Sequence, residues 1–327
     1  MTAHDVAAKQ PAGDFTVIGA VQIDVVASPV TDLPPGGASL LVDQMSVRLG
    51  GAGANAALAF ADAGVKPRLV GCVGDDHLGT WMCDELKAFD LDRDLVTVAG
   101  ERSGLTMALQ SPDRDRTFLT YLGVNATWEG TGIAPGVLDT RNLLLCDYFV
   151  MPGMHHAAAR VLTTARSQGA RTFFDTAWDP AGFRDTKRAQ VLELLPWVDV
   201  FLPNEAEAYA VTGVNDDPLA AARILQEASG GWVVVKLGSR GCLALGPDAV
   251  ELSQTAPSVE VADTIGAGDA FNAGLVLALD QQPLDDRESL ERALRYAVEF
   301  ASEIIARPSD DRYRPLGEVR GVAARRS

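Results

Sequence analysis

Cysteine is scarce in this chain of 327 residues, and its four copies are far apart. Cys72, Cys83, Cys146 and Cys242 include no C-x-x-C pair, which argues against a zinc site and against a disulfide framework. Free, scattered cysteines are typical of proteins in a reducing compartment. We therefore expect a cytoplasmic protein.

Basic residues and long apolar runs are also lacking. Lys and Arg number 28 against 44 Asp and Glu, a formal net charge of −16. A surface of this charge repels phosphate backbones and anionic lipid, so we expect no nucleic acid and no membrane as partner. No apolar run reaches the roughly 18 residues of a membrane span, because Asp147 and Asp280 end the two best candidates.

The chain has no internal repeat and no low-complexity linker, and its composition is that of a globular protein, with 47% hydrophobic and 22% charged residues. Its length suits one large α/β domain with an addition. The small, polar N-terminus lacks a signal-peptide pattern. We expect a flexible leader at 1–14, one folded domain at 15–315 and a C-terminal tail at 316–327.

Strand-like and helix-like segments alternate over most of the chain, which predicts a doubly wound α/β fold with a mostly parallel sheet flanked by helices. Continuous apolar runs, such as 232–235, predict buried parallel strands. Two stretches, at about 21–49 and 98–128, alternate apolar and polar residues instead. We predict that they pair into a small β-sheet that covers the main domain as a lid.

The strongest chemical signal is the sequence D-T-I-G-A-G-D at 263–269, between a strand-like stretch and an apolar helix. Small residues at a helix N-terminus leave backbone amides uncovered, and this arrangement binds anions. A carboxylate beside a phosphate is repelled unless it accepts a proton, so Asp269 suits a general base. A plain helix cap with turn glycines is the alternative interpretation.

This motif resembles the second signature of the ribokinase-like (PfkB-type) carbohydrate kinases. G-G-A-G-A-N at 50–55 is similar to the first signature, and further matches follow in the family's order at 17–19 with Asp24, 73–76 with Gly79, 204–207 and 237–241. The resemblance implies a ribokinase-like fold. It also implies an ATP-dependent kinase that phosphorylates a primary hydroxyl of a small sugar, such as a ketohexose or a pentose.

The resemblance also implies roles for single residues. Asp269 would be the general base, and the amides of Gly266, Ala267 and Gly268 would form an anion hole for the transferred phosphoryl group. Asp24 would accept hydrogen bonds from sugar hydroxyls. The other residues implied at the sugar are the hinge glycines of the lid and two asparagines: Gly50, Gly51, Asn55 and Asn125.

The same resemblance implies which cofactors the protein uses and which residues hold them. The residues implied along ATP are Asn204, Lys236, Gly238, Ser239, Gly241, Thr264 and Gly268. Asn204 and Glu207 would organise Mg²⁺ through water, since Mg²⁺ usually keeps several waters. Asp263 and the carbonyl of Ile265 could serve a monovalent cation. K⁺ binding stays open, because the segment 306–309 is shorter than the loop that helps to hold the cation in many relatives.

The chain departs from the ribose-specific members at two positions. Those members carry Lys where this chain has Ala52, and their ribose-contacting Glu falls near Tyr148. An adenine-contacting Asn of the family falls on Val298, which offers only apolar contact. These departures count against ribose specificity and leave open which side chains take the place of Ala52 and Tyr148 as specificity determinants.

Three alternatives remain at this point. Relatives with the same signatures act on nucleosides, so a nucleoside kinase is the first. A dinucleotide-binding oxidoreductase is the second, because 51–56 fits a loose G-x-G-x-x-A and Asp75 follows about 20 residues later. A catalytically silent sugar sensor is the third. Exposed edges of the predicted lid further predict a homodimer that pairs through it.

Overall fold

The computed structural model describes residues 13–111, 117–180, 182–308 and 312–315. The expected tail and all but the last two residues of the expected leader lie outside this part. The first strand begins at Gly13, where it pairs with Thr140. Residues 13 and 14 of the expected leader thus belong to this strand, because backbone pairing begins before the first apolar side chain.

Thirteen strands form in the described part of the chain. In chain order they are β1 (Gly13–Ile18), β2 (Gln22–Ser28), β3 (Gln44–Gly50), β4 (Arg68–Gly74), β5 (Asp92–Val98), β6 (Gly104–Leu109), β7 (Thr117–Tyr121), β8 (Thr140–Leu145), β9 (Arg171–Phe174), β10 (Val200–Phe201), β11 (Trp232–Lys236), β12 (Cys242–Leu245) and β13 (Glu251–Gln254).

The α-helices of the same residues lie between these strands and after the last of them. They are α1 (Ala52–Asp62), α2 (His77–Glu85), α3 (Val124–Thr127), α4 (His155–Ser167), α5 (Asp185–Leu194), α6 (Glu205–Thr212), α7 (Pro218–Ser229), α8 (Ala267–Leu279) and α9 (Arg287–Ile305). No helix in the described ranges is long and apolar enough to cross a membrane.

A nine-stranded sheet forms the centre of the fold, in the order β13-β12-β11-β10-β9-β8-β1-β4-β5. Its strands are parallel from β5 to β11, and β12 and β13 are antiparallel at one edge. Helices α4 to α7 pack on one face and α1, α8 and α9 on the other. The predicted doubly wound, mostly parallel sheet is confirmed.

A second, four-stranded sheet has the order β3-β2-β6-β7. Its strands fall within the two stretches predicted for it, except that β3 ends one residue later, at Gly50. β5, which ends at Val98, belongs to the large sheet. Residues 112–116 of the second stretch lie outside the described part. The separate small sheet is thus as predicted, and its action as a lid remains a prediction.

The two faces of the small sheet differ in character because side chains alternate along a strand. The cross-strand register puts Asp24 beside Arg48 and Thr106, and Thr106 beside Thr120, on one polar face. The opposite face is apolar, and its exposed side chains are Met45, Val47, Leu119 and Tyr121. The polar face is the one that bears on the candidate site.

Candidate active site

The candidate site lies where the parallel strands of the large sheet end. Asp147 follows β8, Asp175 follows β9, Asn204 follows β10, and Lys236 is the last residue of β11. Carboxyl ends of neighbouring parallel strands meet at one edge, which is where ligands bind in open α/β sheets. The topology therefore gathers these four polar side chains from four separate parts of the chain.

The glycine motif forms a turn, here called the anion turn (residues 263–268), at the N-terminus of α8. Gly266 is the N-cap with φ of 79°, a left-handed conformation that favours glycine. Among the described residues, the amides of Gly266, Gly268 and Asp269 have no hydrogen-bond partner, so all three are available to an anion. The amide of Ala267 donates to the Thr264 carbonyl at 3.2 Å. Its predicted place in the anion hole is therefore not supported, because the turn itself uses that donor.

Asp269 lies in the first turn of α8 and is half-buried. Its Oδ2 accepts a hydrogen bond from Asn55 Nδ2 at 2.9 Å. Burial and the nearby Asp175 carboxylate raise the pKa of Asp269 to about 6, although Asn55 and the Lys236 ammonium oppose the rise. A carboxylate with this pKa is ionised at neutral pH and still accepts a proton more readily than an ordinary aspartate.

The Lys236 ammonium lies beside the anion turn, and a Cβ built on Gly268 would be 3.6 Å from Nζ. Two buried partners hold it there: Asp175 Oδ2 at 2.5 Å and Asn272 Oδ1 at 3.2 Å. Burial alone would lower the pKa of Lys236, but the Asp175 and Glu207 carboxylates keep it above its usual value. The site therefore contains a fixed positive charge close to the uncovered amides.

Asp24 lies on the polar face of the small sheet and is only 6% exposed. Gln22 Nε2 donates to its Oδ1 at 3.3 Å and to Thr106 Oγ1 at 2.9 Å. Burial raises the pKa of Asp24 to about 6, with Gln22 and Arg48 opposing. Gly50 packs directly against this carboxyl group, since a Cβ on Gly50 would lie 2.2 Å from Asp24 Cγ.

Two further residues singled out in the sequence are buried. Asn125 is completely buried, with Oδ1 accepting from the Cys72 thiol at 3.5 Å, while its Nδ2 has no hydrogen-bond partner among the described residues. Its contact with substrate stays a prediction. The side chain of Tyr148 is buried in the core, where its ring stacks on His155 at 4.1 Å between centroids. Contacts with the rings of Phe149, His155 and Phe174 fix Tyr148 in the core.

A cleft of about 440 Å³ extends from the anion turn along α9. Most residues predicted along ATP line it: Lys236, Gly238, Ser239, Gly241, Thr264 and Gly268. Val298 also lines it, as expected for a base contact. The sequence analysis missed the wall that follows β13, including Ala256, Pro257 and Val259. Those residues carry no polar motif, so only the tertiary structure identifies them.

Asn204 and Glu207 form a reciprocal capping box at the start of α6. Glu207 Oε2 accepts from Asn204 N at 2.9 Å, and Oε1 accepts from Asn204 Nδ2 at 2.6 Å. Burial raises the pKa of Glu207 to about 7. Each carboxylate oxygen has a remaining lone pair, so this pair fits Mg²⁺ through water. No group of three His, Cys, Asp or Glu in the described ranges could ligate a metal directly.

Asp263, at the start of the anion turn, pairs with two guanidinium groups. Arg48 Nη1 and Arg312 Nη2 each lie 2.7 Å from its Oδ2. Burial by itself would raise the pKa of Asp263, but Arg312, the Ile265 amide and Arg48 together hold it below its usual value. Sequence analysis identified Asp263 but missed both arginines.

Asp147 is buried and has φ of 61°, a conformation that Asp tolerates better than most residues. Its Oδ2 accepts from the amides of Ala20 and Gly53, both at 3.0 Å. The N-terminus of α1 thus already holds a carboxylate, and α1 follows β3 of the small sheet. A dinucleotide motif requires a parallel strand there and a free helix N-terminus, so the oxidoreductase alternative fails.

Comparisons with known proteins identify the family of this chain. A model of the pfkB family, described as carbohydrate kinases, matches residues 13–314. The chain is 26% identical to ribokinase of Haemophilus influenzae, covering 88% of this chain and 90% of that protein. It is 28% identical to fructokinase-1 of Oryza sativa, covering 76% and 79%. The structure of ribokinase from Giardia lamblia shares the fold, with a TM-score of 0.79, 21% identity and coverage of 95% and 96%.

Proposed function

Because the chain belongs to the pfkB family of carbohydrate kinases, we propose that it transfers the γ-phosphoryl group of ATP to a primary hydroxyl of a small sugar. Membership confirms the resemblance seen in the sequence and the assignment as a kinase with an alcohol group as acceptor. The choice of sugar, a ketohexose, a pentose or a related compound, belongs to the proposal.

The position of Asp269 supports this proposal most strongly. On one side it adjoins Gly268, which lines the 440 Å³ cleft. On the other side it accepts from Asn55, and the Asp24 carboxylate contributes to raising its pKa. A carboxylate between a cleft for the nucleotide and a group of hydroxyl-binding side chains is where a base must lie to serve both substrates.

The proposed reaction moves one proton and one phosphoryl group. Asp269 takes the proton of the acceptor hydroxyl, and that oxygen attacks the γ-phosphorus as the bond to the ADP oxygen breaks. The amides of Gly266 and Gly268 and the Lys236 ammonium stabilise charge on the phosphoryl oxygens during the transfer. General-base assistance of this kind contributes about 10²–10⁴-fold to the rate.

The metal and the sugar acceptor are assigned to different residues of the site. Asn204 and Glu207 would hold Mg²⁺ through water, and Mg²⁺ would neutralise phosphate charge when it is bound. Asp24, with Gln22 and Thr106 beside it, receives the sugar hydroxyls, because a carboxylate accepts from two hydroxyls at once. Asn55 orients the Asp269 carboxylate and adjoins the same space.

We also propose that a second copy of this chain covers the apolar face of the small sheet. Met45, Val47, Leu119 and Tyr121 on that face are each more than half exposed, and edge strands β3 and β7 both belong to it. An apolar face flanked by two edge strands can pair with the same face of a second copy around a twofold axis.

The reaction is proposed for the cytoplasm, where thiols stay reduced, and all four cysteines are free.

A substrate panel tests the proposed function. ADP formation is measured with free pentoses, ketohexoses, aldohexoses and nucleosides, and the products are analysed to locate the new phosphate ester. Asp269→Asn provides the control for contaminating kinases. Turnover with sugars alone supports the proposal, turnover with nucleosides alone replaces it with the nucleoside kinase alternative, and no turnover with any acceptor refutes both.

A further inference from the structure

The carbonyls and carboxylate that begin the anion turn already hold a cation that belongs to the chain itself. Arg312 Nη2 donates to the Asp263 carbonyl at 3.2 Å and pairs with Asp263 Oδ2 at 2.7 Å. Arg312 Nη1 donates to the Ile265 carbonyl. These are the same groups, on Asp263 and Ile265, that the sequence analysis considered for a monovalent metal cation.

The guanidinium is built into this position. Arg312 is only 4% exposed. Its own carbonyl accepts from Arg307 Nη1 at 2.9 Å, and that nitrogen also lies 2.8 Å from Asp62 Oδ1 at the end of α1. Asp62 Oδ1 further accepts from the amide of Arg314 at 2.9 Å. The segment that carries Arg312 is therefore fastened to α1 on both sides of it.

Charge and geometry both disfavour an additional cation. Asp263 already pairs with Arg48 as well as Arg312, so two positive groups face the position that a metal cation would take. Hard cations need several oxygen ligands, and here the carbonyl oxygens point at guanidinium N–H groups. A planar guanidinium with several fixed donors suits two carbonyls and a carboxylate at once.

We propose that Arg312 replaces a monovalent cation at the anion turn, so that phosphoryl transfer by this chain is independent of K⁺. The inference rests on the proposed kinase function. Arg312 touches the carbonyls immediately before Gly266, whose conformation directs the uncovered amides toward the phosphate. It is a positioning residue: it fixes the turn and contacts neither substrate nor phosphoryl group.

The first experiment uses the unmodified protein. Turnover is measured with the tetramethylammonium salt of ATP, in buffers where K⁺ or Na⁺ replaces tetramethylammonium at constant ionic strength. We expect a turnover ratio of about one, and no cation-specific shift in melting temperature, because an ion that does not bind cannot stabilise. Activation by K⁺, or a melting temperature raised by K⁺ alone, overturns the inference. Absence of turnover in every buffer is a failure of the proposed function instead.

Variants test the positioning role. Arg312→Ala removes the guanidinium, and kcat should fall by about 10²-fold from a misplaced turn, with a smaller change in the KM for ATP. Arg312→Lys keeps one positive charge and should recover part of the loss. Arg314→Ala is the matched control, since its side chain pairs with Glu303 on α9 and not with the turn. Unchanged kcat in Arg312→Ala would overturn the assignment. If that variant does not fold, the measurements of the unmodified protein in K⁺, Na⁺ and tetramethylammonium buffers still test the inference.

Discussion

Asn55 and Asp269 are 214 residues apart in sequence, and their side chains meet at 2.9 Å. Asn55 belongs to the first glycine motif and Asp269 to the second, so this single hydrogen bond joins the two strongest signals of the sequence. Asn55 donates to Oδ2, which fixes the orientation of the carboxylate. The contact connects the proposed acceptor side of the site to the proposed nucleotide side.

Replacing the base should affect the chemical step alone. Asp269→Asn keeps the size of the side chain but cannot take a proton, so kcat should fall by about 10²–10⁴-fold. The affinity for nucleotide, measured by calorimetry, should stay close to that of the unmodified protein. A variant that retains half the turnover would remove Asp269 from the role of base.

The pH dependence should report two carboxylates. Burial raises the pKa of Asp269 and of Asp24 to about 6, and both are proposed to act ionised, so activity should fall as pH drops through about 6. Since both titrate in the free enzyme, log(kcat/KM) measured at saturating Mg²⁺, which keeps Glu207 ionised, should approach a slope of about two on the acid side. Asp24→Asn should reduce this slope to about one, and an unchanged slope would contradict the assignment.

A glycine substitution should disturb the acceptor without touching the nucleotide. A Cβ on Gly50 would lie 2.2 Å from Asp24 Cγ, whereas Gly36 has nothing within 4 Å. Gly50→Ala should therefore raise the KM for the acceptor by about 10–100-fold, the cost of a lost charged hydrogen bond. Gly36→Ala is the control. Equal increases in the two substrates' KM values would place Asp24 outside the acceptor site.

Stability should depend on pH through Asp147. Burial raises its pKa to about 8, well above the ordinary pKa of an aspartate, so between these two values the unfolded chain loses a proton that the folded chain keeps. Stability therefore declines as pH rises through this window. The asparagine of the Asp147→Asn variant cannot ionise. The free energy of unfolding of this variant, minus that of the unmodified protein, should therefore increase from pH 4 to pH 8. Denaturant unfolding at a series of pH values measures the difference.

The proposed dimer can be tested on the apolar face of the small sheet. Val47→Glu places a charge where Val47 is 56% exposed on that face, and burying an unpaired charge is costly. Sedimentation should show the variant as a monomer at concentrations where the unmodified protein is a dimer. Gln44→Glu, on the opposite face of the same strand, should leave the dimer intact.

The sequence predicts the large sheet and the position of the anion turn because both depend on local pattern: apolar runs, and glycines before a helix. Asp147 and Asp175 also had a signal, since each closely follows a strand-like run. Arg312 had none. Its contact with Asp263 spans 49 residues, and only tertiary packing decides which of many arginines reaches the turn.

The residue that fixes the anion turn comes after every strand and helix of the described chain. During synthesis, domains fold from the N-terminal end as the chain emerges, and β13, the last strand, ends at Gln254. A nascent chain ending at residue 308 contains every strand of both sheets but still lacks the Arg312 guanidinium. The proposed positioning of the anion turn therefore depends on a residue that is synthesised after all of the strands and helices it serves.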